Sequence, residues 1–67
     1  MESGLRIKIA RMKVNKKQYE VAKEVGISAQ YLRQLEAGRS ANPSKEVMGK
    51  LALALNTTAG ELFFDEK

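Results

Sequence analysis

The chain predicts an all-α fold, and three observations carry that expectation. Its 67 residues are rich in Ala, Leu, Lys and Glu and hold a single proline, the balance of a helical protein. Apolar residues recur at helical spacing in short stretches. Those stretches are divided at regular intervals by glycine, asparagine, serine and threonine, the residues that stop and start helices. With 43% apolar and 30% charged residues the balance is globular rather than disordered. The length fits one domain, residues 1–67, close to the lower limit for a self-supporting core.

Five short helices are expected. The first covers about 4–13, and Asn15 with its lysine neighbours breaks its pattern. The second starts at Lys17 or Gln18 and runs to Val25, where Gly26 supplies the left-handed backbone that closes a helix. Ser28 then suits an N-cap, because its hydroxyl accepts from an otherwise unpaired amide in the next turn. Helix three follows over 29–37, with Gly38 as its stop. The stretch RSANPS is loop. Either Asn42, with Pro43 at the first helical position, or Ser44 caps helix four, with Ser44 the favoured cap; that helix reaches Leu55 before Asn56 breaks it. Thr58 and Glu61 form a capping-box pattern for a last helix ending near Phe64.

Function classes narrow quickly. Neither cysteine nor histidine occurs, so a disulfide framework and the usual zinc sites are excluded, and no metal or cofactor is expected. An enzyme is also disfavoured, since no histidine offers a general base and no carboxylate pair clusters. The longest apolar run is too short to span a bilayer, and MESGLRIKIARMK lacks the uninterrupted apolar core of a signal peptide. A cytoplasmic protein with no membrane partner is the expectation. Formal charge is +4 and unevenly spread: residues 1–39 hold nine Lys/Arg against four Asp/Glu, whereas 40–67 hold three against four. A polyanion would meet the first part.

Faces sharpen this reading. Val21, Ala22 and Val25 share one side of helix two. On helix three, at about 100° per residue from Ala29, Tyr31, Leu32 and Leu35 lie near 200° to 300°, while Gln30, Arg33, Gln34 and Ala37 lie between about 40° and 140°. One side is core and the other is open to a ligand. Ala22 permits close approach, and the connection at Gly26, Ile27 and Ser28 is tight enough to cross the helices steeply. The arrangement is a helix-turn-helix.

With Gln18 as first position of the motif, Ala22, Gly26, Ile27, Leu32 and Leu35 are fifth, ninth, tenth, fifteenth and eighteenth, and Val21 and Val25 take the other buried positions. In this register the chain resembles the phage Cro/repressor (Xre-like) family of DNA-binding domains. LEAGRSANPS resembles the family's L-E-x-G loop and Pro-Ser helix start, and LALALNTTAGELF resembles its closing helices. Lys16 departs from the family, which usually has an apolar residue there and a Ser or Thr cap in place of Lys17. The stems of these lysines are expected to cover the core edge while their ammonium groups stay in water.

The resemblance implies a compact five-helix, lambda-repressor-like domain that places helix three in the major groove of double-stranded DNA. Ala29, Gln30, Arg33 and Gln34 are then the base-contact residues, with glutamine suited to adenine, arginine to guanine and the Ala29 methyl to thymine. Phosphate contacts are expected from Lys17, Gln18, Ser28, Arg39, Ser40 and Asn42, which flank that helix. The family also implies a structural pair between Arg11 and Glu36 across the core. Proteins of this kind bind as two-fold dimers on palindromic operators. The last helix, with Glu61, Phe63 and Phe64, is the first choice for the homodimer surface. Leu5, Ile9 and Met12 are its rival, because Ile7, Ala10 and Val14 on the Arg11 side should face the core and both faces cannot be buried. That stripe also suits a second protein or the C-terminal tail, so an antitoxin or other protein-binding regulator is the alternative to a transcription regulator.

Overall fold

Among the described residues four turn the backbone into the left-handed region, Asn15 (φ 58°), Gly26 (φ 85°), Gly38 (φ 73°) and Asn56 (φ 57°), and they separate the helices. In the computed structural model, which describes residues 3–39 and 43–64, the five helices are α1 (Ser3–Lys13), α2 (Gln18–Val25), α3 (Ala29–Glu36), α4 (Lys45–Ala54) and α5 (Ala59–Phe63). No strand occurs among the described residues.

The ends of α1, α3 and α4 share one pattern. Asn15 and Lys16 donate their N–H groups to the carbonyls of Met12 and Arg11, Gly38 and Arg39 to those of Leu35 and Gln34, and Asn56 and Thr57 to those of Leu53 and Ala52. Each pair satisfies carbonyls that the helix itself leaves without donors. These closing bonds draw Ala37 and Leu55 into capping positions, so α3 and α4 stop one residue earlier than their apolar periodicity suggests.

Helix starts are built in two ways. The hydroxyls of Ser28, Ser44 and Thr58 accept from the N–H groups of Tyr31, Val47 and Glu61 at 3.0, 3.2 and 3.1 Å. Ser44 is therefore the cap of α4, and Asn42 lies outside the described residues. Lys17 precedes α2 without an acceptor of its own, and the Glu20 carboxylate accepts the Lys17 N–H at 2.8 Å instead. At α5 the reciprocal half of the capping box is replaced: the Glu61 carboxylate accepts the Thr57 hydroxyl at 2.6 Å.

Ile7, Val21, Ala22, Val25, Leu32, Leu35, Leu51, Ala52, Leu55 and Leu62 make the buried core. α1 packs on α3 and α5, α2 on α3 and α4, and α4 on α5. Gly4 makes the α1–α3 crossing possible. A Cβ there would lie 2.5 Å from the Glu36 carbonyl oxygen and 2.6 Å from that of Leu35, so the backbone of α1 rests on the last turn of α3.

Lys16 corrects an expectation. Its ammonium is not simply left in water: Nζ donates to both Glu24 carboxylate oxygens and to the Ala54 carbonyl, each at 3.0 Å. Ala54 ends α4, where carbonyls lack intrahelical donors and a cation is favoured. A polar strap thus links the α1–α2 connection to the end of α4.

Candidate nucleic-acid interface

α3 is anchored by its back. Leu32 and Leu35 are buried, and Tyr31 packs partly buried against the same core. On the outer side Gln30, Arg33 and Gln34 are exposed, and none of the three side chains has a hydrogen-bond or ion-pair partner among the described residues. Their donors and acceptors face water and are available to a ligand. Ala29 differs from them: it is half-buried and packs against the core, so only part of its surface is presented beside Gln30.

Position and tilt of α3 are set by a network at its C-terminal end. Arg11 Nε donates to Glu36 Oε2 at 2.7 Å and Nη2 to Oε1 at 3.1 Å, while Nη1 donates to the Lys16 carbonyl at 2.9 Å. The two side chains are 13% and 5% exposed. Gln18 Nε2 also donates to Glu36 Oε1, at 3.0 Å. One carboxylate therefore ties together α1, the first residue of α2 and the last of α3. The bidentate geometry fixes orientation as well as distance. It also removes Glu36 from the set of groups able to meet a base.

Across this frame, a model described as helix-turn-helix matches residues 7–62, from the buried Ile7 of α1 to the buried Leu62 of α5. The chain belongs to the Cro/C1-type, Xre-like helix-turn-helix family. As a member of that family it is a DNA-binding helix-turn-helix protein of the transcription-regulating type. The family is typically non-enzymatic. No curated relative matches the sequence.

The flanking residues of this Cro/C1-type domain fall at the starts and end of the helix-turn-helix. Lys17 is exposed before α2. The Gln18 side chain is partly committed, with one of its two amide N–H bonds held by Glu36, so its backbone N–H at the head of α2 is the freer donor for an anion. Ser28 uses an oxygen lone pair as the α3 cap and keeps its O–H to donate. Arg39 is exposed just beyond α3, its backbone N–H held by the Gln34 carbonyl at 2.9 Å. Ser40 and Asn42 lie outside the described residues.

The surfaces expected to meet protein are separate from this one. Leu5, Ile9 and Met12 are 46%, 36% and 62% exposed and Phe64 is 55% exposed, whereas Phe63 packs partly buried on the core. Ile9, Phe64 and Glu61 line a groove of about 580 Å³ between α1 and the α4–α5 corner; Leu5 and Met12 lie outside its lining. No residue of α2 or α3 contributes to it. Among the described residues no cluster of His, Cys, Asp or Glu can hold a metal, and no helix is long and apolar enough to cross a membrane.

Sequence reasoning missed Gly4, the Lys16–Glu24 strap and the Thr57–Glu61 bond. It also missed Arg6, whose Nη1 donates to the carbonyls of Glu61 and Phe64 at 3.4 and 3.1 Å and so ties α1 to the end of α5. A glycine near the start of an otherwise periodic helix was the one available signal, since its cost there suggests a packing reason.

Proposed function

We propose that this protein is a sequence-specific transcriptional regulator that binds double-stranded DNA in the cytoplasm as a two-fold dimer on a palindromic operator. The observation that carries the reading is the trio Gln30, Arg33 and Gln34, exposed and without side-chain partners among the described residues, on a helix whose opposite side is locked into the core. With α3 in the major groove, the glutamines pair with adenine N6 and N7 and Arg33 with guanine O6 and N7. The exposed part of Ala29 lies against a thymine methyl. Lys17, Gln18, Ser28, Arg39, Ser40 and Asn42 hold the phosphates on either side and fix the register. Two copies then occupy half-sites separated by about one helical turn. The Arg11–Glu36 pair holds the reading helix at its working angle.

Selection of binding sites from random duplexes, repeated with Gln30→Ala, Arg33→Ala and Gln34→Ala, tests this. The expected result is loss of base preference at separate positions of each half-site. Equal weakening on every sequence would make these residues backbone contacts, and the absence of any enriched sequence for folded wild-type protein would refute the reading.

A second reading has its own observation. The exposed Leu5, Ile9 and Met12 stripe suits a protein partner, as in an antitoxin that also controls its own promoter. Stable co-purification of a small partner that is released by Leu5→Lys with Ile9→Lys would favour it.

A further inference from the structure

The exposed stripe of α1 has a regular spacing and a charged border. Leu5, Ile9 and Met12 stand at i, i+4 and i+7, and all three are exposed. At about 100° per residue they fall within a strip about 60° wide, with Lys8 about 60° from Leu5 on one side and Lys13 about 80° from it on the other. Both lysines are exposed, and neither has a hydrogen-bond or ion-pair partner among the described residues. The two arginines of α1 are committed elsewhere. Arg6 donates to the Glu61 and Phe64 carbonyls, and Arg11 is held by Glu36.

Width decides the class of occupant. An apolar strip this narrow is the seam of a coiled coil, whereas a helix packed on a broad apolar surface needs a face about 100° wide or more. A lipid surface also requires the apolar residues of a helix to be gathered on one side. Those of α1 are not, because Ile7 is buried in the core on the side away from the strip. The spacing of four and then three assigns Leu5, Ile9 and Met12 to positions d, a and d of a heptad, which places Lys8 at g and Lys13 at e. Charges at e and g select the partner of a coiled coil. Two lysine flanks repel a second α1, which has no acidic residue to offer in return, and attract a helix that carries carboxylates.

We infer that the outward face of α1 docks an acidic amphipathic helix of another protein, with apolar residues at its a and d positions and Asp or Glu at e and g, its carboxylates meeting Lys8 and Lys13 across the seam. The inference rests on the protein-binding reading of the stripe and names the chemistry of the partner. It uses none of the α3 residues assigned to the bases.

A synthetic peptide of three heptads, with Leu at a and d and Glu at e and g, tests the pairing when its fluorescence anisotropy is followed on titration with the full chain. One control peptide has Lys at e and g, and another keeps Glu but has Ser at a and d. The acidic amphipathic peptide should bind with a dissociation constant on the order of 10 to 100 μM, and each control roughly tenfold more weakly or worse. Lys8→Glu with Lys13→Glu should weaken the acidic peptide about tenfold and strengthen the Lys peptide by a similar factor. Arg33→Ala should leave the affinity unchanged; a loss there would mean that the peptide sits on the α3 face and would overturn the inference. Absence of saturable binding below about 1 mM overturns it as well, as do equal affinities for the three peptides or indifference to the double reversal. Circular dichroism checks folding. Should the double reversal lose helix, Met12→Asp is measured in its place, and an unchanged affinity there overturns the inference equally. Co-sedimentation with phosphatidylglycerol vesicles in the absence of peptide binding would assign the face to a lipid surface instead, which also overturns it.

Co-purification separates this failure from that of the underlying reading. A partner released by Leu5→Lys with Ile9→Lys, from a chain that does not bind the acidic peptide, leaves the protein-binding reading standing and removes this inference. If no partner is released and no peptide binds, both fall.

Discussion

Two outward helix faces of this protein meet water, one on α3 and one on α1, and they are made of opposite materials. The α3 face offers amides and a guanidinium through Gln30, Arg33 and Gln34; the α1 face offers Leu5, Ile9 and Met12. Leaving the first exposed costs nothing, because water satisfies every donor and acceptor. Leaving the second exposed forgoes about 25 cal/mol for each Å² of apolar surface that a partner would cover. The first face has directional groups and suits discrimination among bases, whereas the second has only area and suits association. Between them runs the Arg11–Glu36–Gln18 network, which makes the angle of the α3 face depend on α1.

The sharpest way to break the comparison is to cut that connection. Glu36→Ala leaves the Arg11 guanidinium nearly buried with only the Lys16 carbonyl, and should cost about 3 kcal/mol in chemical denaturation. Replacing both partners with apolar residues of similar volume, Arg11→Met with Glu36→Leu, should recover most of that loss. If the single change proves as mild as the double, the pair is not what holds the two helices.

Next in size is Gly4→Val, which forces α1 away from the carbonyls of Leu35 and Glu36 and should destabilise by about 2 kcal/mol in the same assay. Arg33→Ala probes the α3 face alone. It should cost about 1 to 3 kcal/mol of discrimination at one operator position, with thermal stability essentially unaltered. Lys17→Ser gives α2 the hydroxyl cap that Ser28 gives α3, and should stabilise by about 0.5 to 1 kcal/mol. The same change should lower the slope of log affinity against log salt by about one if Lys17 holds a phosphate. Smallest is Met12→Gln on the α1 face, expected within about 0.5 kcal/mol of wild type in stability because the side chain is already 62% exposed. A large loss there would mean that α1 is buried against something when the chain folds.

Local chemistry made much of this legible from the residues alone. Gly26, Gly38, Asn15 and Asn56 stop helices because they enter the left-handed region at little steric cost. Ser28, Ser44 and Thr58 start them because a hydroxyl reaches the amide three residues on. The exposed face of α3 followed from an angular count along that helix, and the solvent exposure of Leu5, Ile9 and Met12 from the same count along α1. The pairing of Arg11 with Glu36 was accessible only through family resemblance, since 25 residues separate them. Lys16 and Gln18 were read less well for one reason: each side chain found a partner that no helical spacing announces. Lys16 reaches the end of α4, 38 residues away, and Gln18 reaches Glu36, 18 residues away.

What the residues determined by themselves is periodic or nearest-neighbour in nature: where each helix begins and ends, which side of it is greasy, and which polar groups are left facing out. Such properties depend on backbone dihedrals and on spacings of three or four positions, which any stretch of chain carries with it. What folding alone decided is which distant groups meet: Gly4 under the last turn of α3, Lys16 on the end of α4, one carboxylate shared by Arg11 and Gln18, and α1 and α5 side chains lining one groove. Those contacts depend on how five helices cross, and a crossing angle is a property of two packed surfaces that neither helix possesses before they touch.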